Sequence, residues 1–159
     1  MNRQPSYASA EYICVVRPPE QGDHDAMADL AEQLGYPCTG KQVRMRLREM
    51  EDLNQYAIYV AKFSGGQIAG WICVYLFRAV ELDTCAEISG LIVNQQVRSH
   101  GIGKSLLDAA EQWARYRGCD AILVRSNVTR DHAHQFYARN GYQHIKTQKA
   151  FFKNIAPLV

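Results

Sequence analysis

The chain has 159 residues, enough for one globular domain with a sizeable core, and its 47% apolar and 21% charged content excludes a disordered or fibrous protein. A net charge of +2 is too small to argue for nucleic acid or a membrane surface as partner, and no run approaches the ~18 consecutive apolar residues of a membrane span. Residues 1–10 read as a polar, flexible terminus with no signal-peptide core, and five widely spaced cysteines give neither a disulfide framework nor a metal site, so a reducing cytoplasm is the expected compartment.

The first predicted element is a strand over 11–17, stopped by Pro18-Pro19. A helix follows over 25–34, with Met27, Leu30, Ala31 and Leu34 on one face and Gly35 ending it. Thr39-Gly40-Lys41-Gln42 has capping-box spacing and opens a second helix through about Met50, whose Val43, Leu47 and Met50 recur at helical intervals. Two β-rich runs, 56–63 and 68–77, flank Ser64-Gly65-Gly66-Gln67, a hairpin signal. After a turn at Leu82-Asp83-Thr84 comes a strand over 85–93.

A long amphipathic helix then carries Ile102, Leu106, Leu107, Ala110, Trp113 and Ala114 on one face and stops at Gly118. Ala121-Ile122-Leu123-Val124 reads as a short buried strand and 131–140 as a helix closed by Gly141. Two β-like stretches, 142–147 and 150–153, finish the chain. The order β-α-α-β-β-β-α-β-α-β-β defines a mixed α/β fold: a mainly antiparallel sheet with one β-α-β unit, flanked by helices. It is expected to form a single domain over residues 1–159.

The junction between the 85–93 strand and the long helix is Val97-Arg98-Ser99-His100-Gly101-Ile102-Gly103-Lys104-Ser105. A glycine-rich turn at a helix start leaves the first N–H groups unpaired and lets an anion approach the backbone. Arg98 and Lys104 add positive charge. A P-loop would need glycine at position 98, which is Arg, and a dinucleotide fingerprint would need a third glycine at 106, which is Leu. The remaining pattern, Arg-x-x-Gly-x-Gly, resembles the acyl-CoA pyrophosphate turn of the GNAT superfamily of N-acetyltransferases. A second run carries the same resemblance in the right order: Asn127, Ala133, Phe136, Tyr137, Gly141 and Tyr142 match that family's later pattern. The likeness covers about 13–152, and within it Glu87-Ile88 and the 127–137 run are most similar to small-molecule amine acetyltransferases.

The resemblance implies acetyl transfer from acetyl-CoA to a primary amine, with small molecules as the expected acceptors. An alkylamine, with a pKa of about 10, must lose a proton before it attacks, and the attack creates an oxyanion. Glu87 is the candidate base. Ser89 shares its pleat parity up to any bulge and is a candidate for orienting the acceptor or a water. Leu91 is expected to offer a backbone N–H to the oxyanion, with Gly90 permitting a bulge there, and Leu91, Ile92 and Val93 form the strand edge beside the pantetheine arm. Arg98 is expected to hold pyrophosphate through its guanidinium, with Ser99, His100, Gly101, Ile102 and Gly103 supplying backbone donors and Lys104 either neutralising phosphate or standing free in solvent.

Asn127 fits the family's pantetheine-amide position, its local alternative being a cap for the next helix. Tyr137 fits the general-acid position, its alternative being a core aromatic. Glu87 has a solvated carboxylate as its alternative. His132 and His134, two apart on a helix, cannot chelate one ion, so no metal is expected. Nucleic acid and membrane are not expected partners. A homodimer through an edge strand near Phe151 is left open, as are a protein- or peptide-acetylating enzyme and a non-catalytic acyl-CoA-binding regulatory module.

Overall fold

A computed structural model describes residues 14–155. The expected flexible terminus at 1–10 and the first part of the first strand fall outside the described residues. The chain forms two compact units, one running to Arg125 and the other from Ser126.

The first unit is a five-stranded sheet, ordered along the chain as β1 (Cys14–Arg17), β2 (Tyr56–Phe63), β3 (Ile68–Ala79), β4 (Leu82–Val93) and β5 (Ile122–Val124). The first four are antiparallel neighbours and β5 runs parallel to β4. Helices α1 (His24–Leu34) and α2 (Gly40–Leu53) connect β1 to β2, and α3 (Ile102–Tyr116) connects β4 to β5. Antiparallel neighbours need only short turns, whereas a parallel pair needs a crossover, and α3 supplies it.

The helices begin close to where the sequence places them, but α2 runs three residues past the expected end at Met50, to Leu53, and is closed by a left-handed Asn54. Thr39 Oγ1 accepts from Gln42 N at 3.2 Å while Gln42 Oε1 accepts from Thr39 N at 2.9 Å, a reciprocal cap at the start of α2. Gly35, at φ +99°, closes α1, and Gly118, at φ +74°, follows the last turn of α3. Between α1 and α2 the Asp25 carboxylate packs so closely on Gly40 that a Cβ there would lie 1.8 Å from its Oδ1. The hairpin at 64–67 is closed by Phe63 N donating to Gln67 O at 3.0 Å.

The pleat divides the sheet into two faces. Ile72, Val74, Ala86 and Ile88 are buried on the α3 side, as are Leu106, Leu107 and Ala110 of that helix. Gly70 lies on this face, where a Cβ would stand 3.2 Å from Leu106 Cδ1. On the other face Met27, Ala28 and Leu30 of α1 and Val43 of α2 close over Val60, Ile68 and Ile92. Burying each of these larger aliphatic side chains contributes about 1.5–3 kcal/mol.

A polar corner ties β1 to α1. Arg17 donates to both oxygens of Asp23, at 2.7 and 3.2 Å, and Glu20 N donates to Oδ2 at 2.7 Å. Burial pushes the Asp23 carboxyl up, but Arg17 and the Glu20 amide outweigh it and hold it below the usual carboxylate range.

The second unit contains α4 (Asp131–Arg139), ended by Asn140 and by Gly141 at φ +87°. The two strands expected over 142–147 and 150–153 do not form: no strand follows α4 among the described residues. A strand exists only by pairing, and these segments make no backbone ladder there. Ile145, Phe151 and Phe152 stay exposed, so the β-forming side chains that suggested strands find nothing to pack on. The described order is therefore β-α-α-β-β-β-α-β-α.

Candidate active site

The site grows from an irregularity in β4. Cys73 pairs with Gly90 and Val74 pairs with Ile88, so Ser89 is an extra residue bulged out of the β3–β4 ladder. The bulge lies at Ser89, one residue before the Gly90 that sequence reasoning chose for it. Gly90 serves another purpose. A Cβ there would meet the Trp71 ring at 2.8 Å, and Trp71 Nε1 donates to Met27 O of α1 at 3.1 Å. Glycine at 90 is what lets the indole lie flat on β4.

The bulge separates Glu87 from Ser89. Ser89 is exposed, and its hydroxyl donates to Cys73 O at 3.4 Å. Glu87 is only 4% exposed, which replaces the solvated carboxylate considered from sequence with a buried one. Its Oε1 accepts from Arg125 Nη1, and its Oε2 has no hydrogen-bond partner, the one such buried side-chain atom among the described residues. Burial, and after it the Glu87 carboxylate, pushes the Tyr75 phenol up, with Arg125 opposing, yet no hydrogen bond from Tyr75 satisfies Oε2. The Arg125 guanidinium lies 5.4 Å from the centre of the Phe77 ring, and Tyr75 stacks on Tyr56 at 5.4 Å. Tyr75 and Glu87 are register partners on β3 and β4, and Leu123 partners Glu87 on β5. Arg125, two residues after Leu123, thus returns to the same face.

Sequence reasoning missed Arg125 and gave Tyr75 no place beside Glu87. Only the β3–β4–β5 register brings them to Glu87, and no local spacing announces it.

Just beyond Glu87 the strands part. Pairing between β4 and β5 ends at Ile88 and Val124, while β4 continues to Val93. Leu91 and Val93 are half-buried in this stretch, which stays paired with β3 but not with β5, and Ile92 is packed into the core beneath α1. Ile92 and the buried Ile102 can therefore offer only backbone groups.

The turn that follows is held by side chains bonded to its own backbone. Asn94 Oδ1 accepts from Gln96 N at 3.1 Å and begins a single 3₁₀ turn. Arg98 Nε bonds Val93 O at 3.3 Å and His100 Nδ1 meets Arg98 O at 2.8 Å. Ser99 and Gly101 are both left-handed, at φ +68° and +78°. Glycine accepts this without penalty, whereas serine stores about 1–2 kcal/mol of strain. Gly101 caps α3 with no side-chain bond, so the first N–H groups of the helix point into the turn without a side-chain acceptor. Lys104 is exposed and paired with Asp108 one turn along α3.

The second unit supplies the other two candidates. Asn127 Oδ1 accepts from Thr129 N at 3.1 Å and from its hydroxyl at 3.0 Å, and Asn127 O accepts from Arg130 N at 3.0 Å, so the residue shapes the turn into α4. Tyr137 is flanked by Phe136 at 5.3 Å and Tyr142 at 5.4 Å, and burial pushes its phenol up to about 12 against a weaker lowering by Arg130. It is a protonated donor at any neutral pH.

The sequence profile of the acetyltransferase (GNAT) family matches residues 24–142, and the chain belongs to that family. It is 33% identical over 95 residues to an aminoalkylphosphonate N-acetyltransferase of Salmonella typhimurium, a match covering 58% of this chain and 62% of that one. The curated relatives are thus matched over less than two thirds of their own length.

Among solved structures, glucosamine-6-phosphate N-acetyltransferase from Arabidopsis thaliana superposes with a TM-score of 0.77 at 18% identity, over 89% of this chain and 99% of that one. An aminoglycoside N-acetyltransferase in complex with CoA gives 0.76 at 16% identity, over 91% and 96%. At these identities the superpositions establish the fold.

Proposed function

We propose that the chain is an acetyl-CoA-dependent N-acetyltransferase acting on the primary amine of a small molecule. The observation that carries this reading is Glu87: a carboxylate 4% exposed, with one oxygen on Arg125 and the other without a donor, is a poor structural element but offers a vacant acceptor to an incoming ammonium. The name of the Salmonella relative supports a small amine as acceptor.

The helix-entry donors at 101–103, with Arg98 beside them, fit a pyrophosphate, because the α3 N-terminus has backbone N–H groups that no side chain caps. Acetyl-CoA, when bound, would supply an acetyl group activated as a thioester. Glu87 would take the proton that an alkylammonium must lose, directly or through a water near Ser89. The backbone around Leu91, on the length of β4 that has no β5 partner, is suited to donating to a developing oxyanion. Tyr137 would hold a proton for a leaving thiolate, since its phenol stays neutral at working pH. Asn127 would meet an amide of the pantetheine arm.

The reading is tested by thiol release from acetyl-CoA with a panel of amines, aminoglycosides, aminophosphonates and peptides, alongside acetyl-CoA binding by calorimetry. Turnover with small amines is expected, and Tyr137→Phe lowers kcat about a hundredfold with binding intact. Turnover with peptides alone would reassign the acceptor, and binding without turnover would leave an acyl-CoA-binding regulatory module.

A further inference from the structure

Arg125 is paired with the carboxylate that the proposed reading assigns to the amine, and its geometry says more than that it neutralises Glu87. The carboxylate is sunk into the sheet, whereas 54% of the Arg125 side chain is open to solvent. A guanidinium carries five donors in a planar fork, and Nη1 is the one directed at Glu87 Oε1. The fork rests on the Phe77 ring, which fixes its plane and leaves its outer edge facing water.

Charges of opposite sign therefore stand in direct contact at two depths: a carboxylate oxygen lacking a donor within, and a cation at the mouth. Asp23, the other buried carboxylate, has donors on both oxygens. An amine with no other charge would approach Glu87 past a fixed cation, and a diamine would bring a second positive charge against it. An amine carrying its own anion would set its dipole antiparallel to the pair and lose nothing by the approach.

We infer that the acceptor is a small zwitterion, its amine donating to Glu87 Oε2 and an oxyanion two or three bonds away (carboxylate, phosphonate or phosphate) lying on Arg125. The contact between Arg125 and Glu87 sets that short spacing. This inference rests on the reading of Glu87 as the amine's proton acceptor, and it makes Arg125 a specificity-determining residue.

The experiment compares amines that share an aminoethyl unit: ethylamine, ethylenediamine, β-alanine and aminoethylphosphonate. For each, kcat/KM is measured with the full chain and with Arg125→Met and Arg125→Lys, and binding is followed by calorimetry. The wild-type protein is expected to prefer the anion-bearing amines over ethylamine by about tenfold, the order expected of a charge-assisted contact open to solvent. Arg125→Met collapses that ratio towards one and Arg125→Lys restores part of it. The ratio cancels general damage from the substitution. β-Alanine and aminoethylphosphonate separate a carboxylate from a phosphonate preference.

Equal use of ethylamine, or a preference for ethylenediamine, overturns the inference while acetyl transfer stands. A preference that survives Arg125→Met overturns the assignment to Arg125. Anion-selective binding that depends on Arg125, with no turnover of any amine, supports the ligand class and removes acetyl transfer instead.

Discussion

Two carboxylates in this protein are equally hidden, each 4% exposed and each facing an arginine, and their surroundings differ in one respect. At the β1–α1 corner Asp23 receives two donors from Arg17 and one from the Glu20 amide. At the end of the β4–β5 pairing Glu87 receives Arg125 on one oxygen and nothing on the other. A buried acceptor left without a donor is destabilising, so a fold that needed only a cross-link would be expected to resemble the Asp23 corner. In the proposed reading, the unfilled oxygen is what makes Glu87 a receptor where Asp23 is a joint.

That contrast can be broken from either side. The largest effect is expected from Glu87→Gln, which keeps the shape and a carbonyl for Arg125 but abolishes the base. kcat should fall about 10²–10⁴-fold, with the denaturant unfolding midpoint nearly unmoved. Equal activity would leave Glu87 a mere cross-link. Asp23→Ala should do the opposite, lowering unfolding free energy by about 3 kcal/mol because Arg17 loses its partner, with kcat per folded molecule preserved.

A pH series sharpens the same difference. The folded Asp23 carboxyl is held below its ordinary value, so the unfolded chain binds more protons as the solution turns acid. Its contribution to stability is whole above that ordinary value and is lost as pH falls through the folded one. Asp23→Ala should flatten this acid limb in urea titrations. The smallest effect is that of Thr39→Ala, far from both carboxylates, which removes the α2 cap for about 1 kcal/mol by thermal unfolding and should leave the pH dependence as it was.

The fold was legible where local chemistry decides it. Thr39 and Gln42 announced α2, Gly35 and Gly118 marked helix ends, and the Arg98–Gly103 spacing singled out the helix entry. What was not legible depends on partners distant in sequence. The bulge at Ser89 follows from how β4 registers on β3, and Arg125 reaches Glu87 only because β5 lies parallel to β4. Ser99 gave no sign of its left-handed backbone, since serine carries no local preference for it. The segments after α4 misled for the same reason in reverse: their residues favour strands, but propensity without a ladder makes none.

The indole of Trp71 lies across Gly90, one residue from the bulge and one from Leu91. The chain has a second tryptophan, Trp113, on α3 beside Arg117. With Trp113 replaced by Phe, the protein would carry a single tryptophan, which can be excited at wavelengths its nine tyrosines do not absorb, at the bulge in β4. Arrival of a ligand there would register as a change in emission, with no label attached and no coupled assay required.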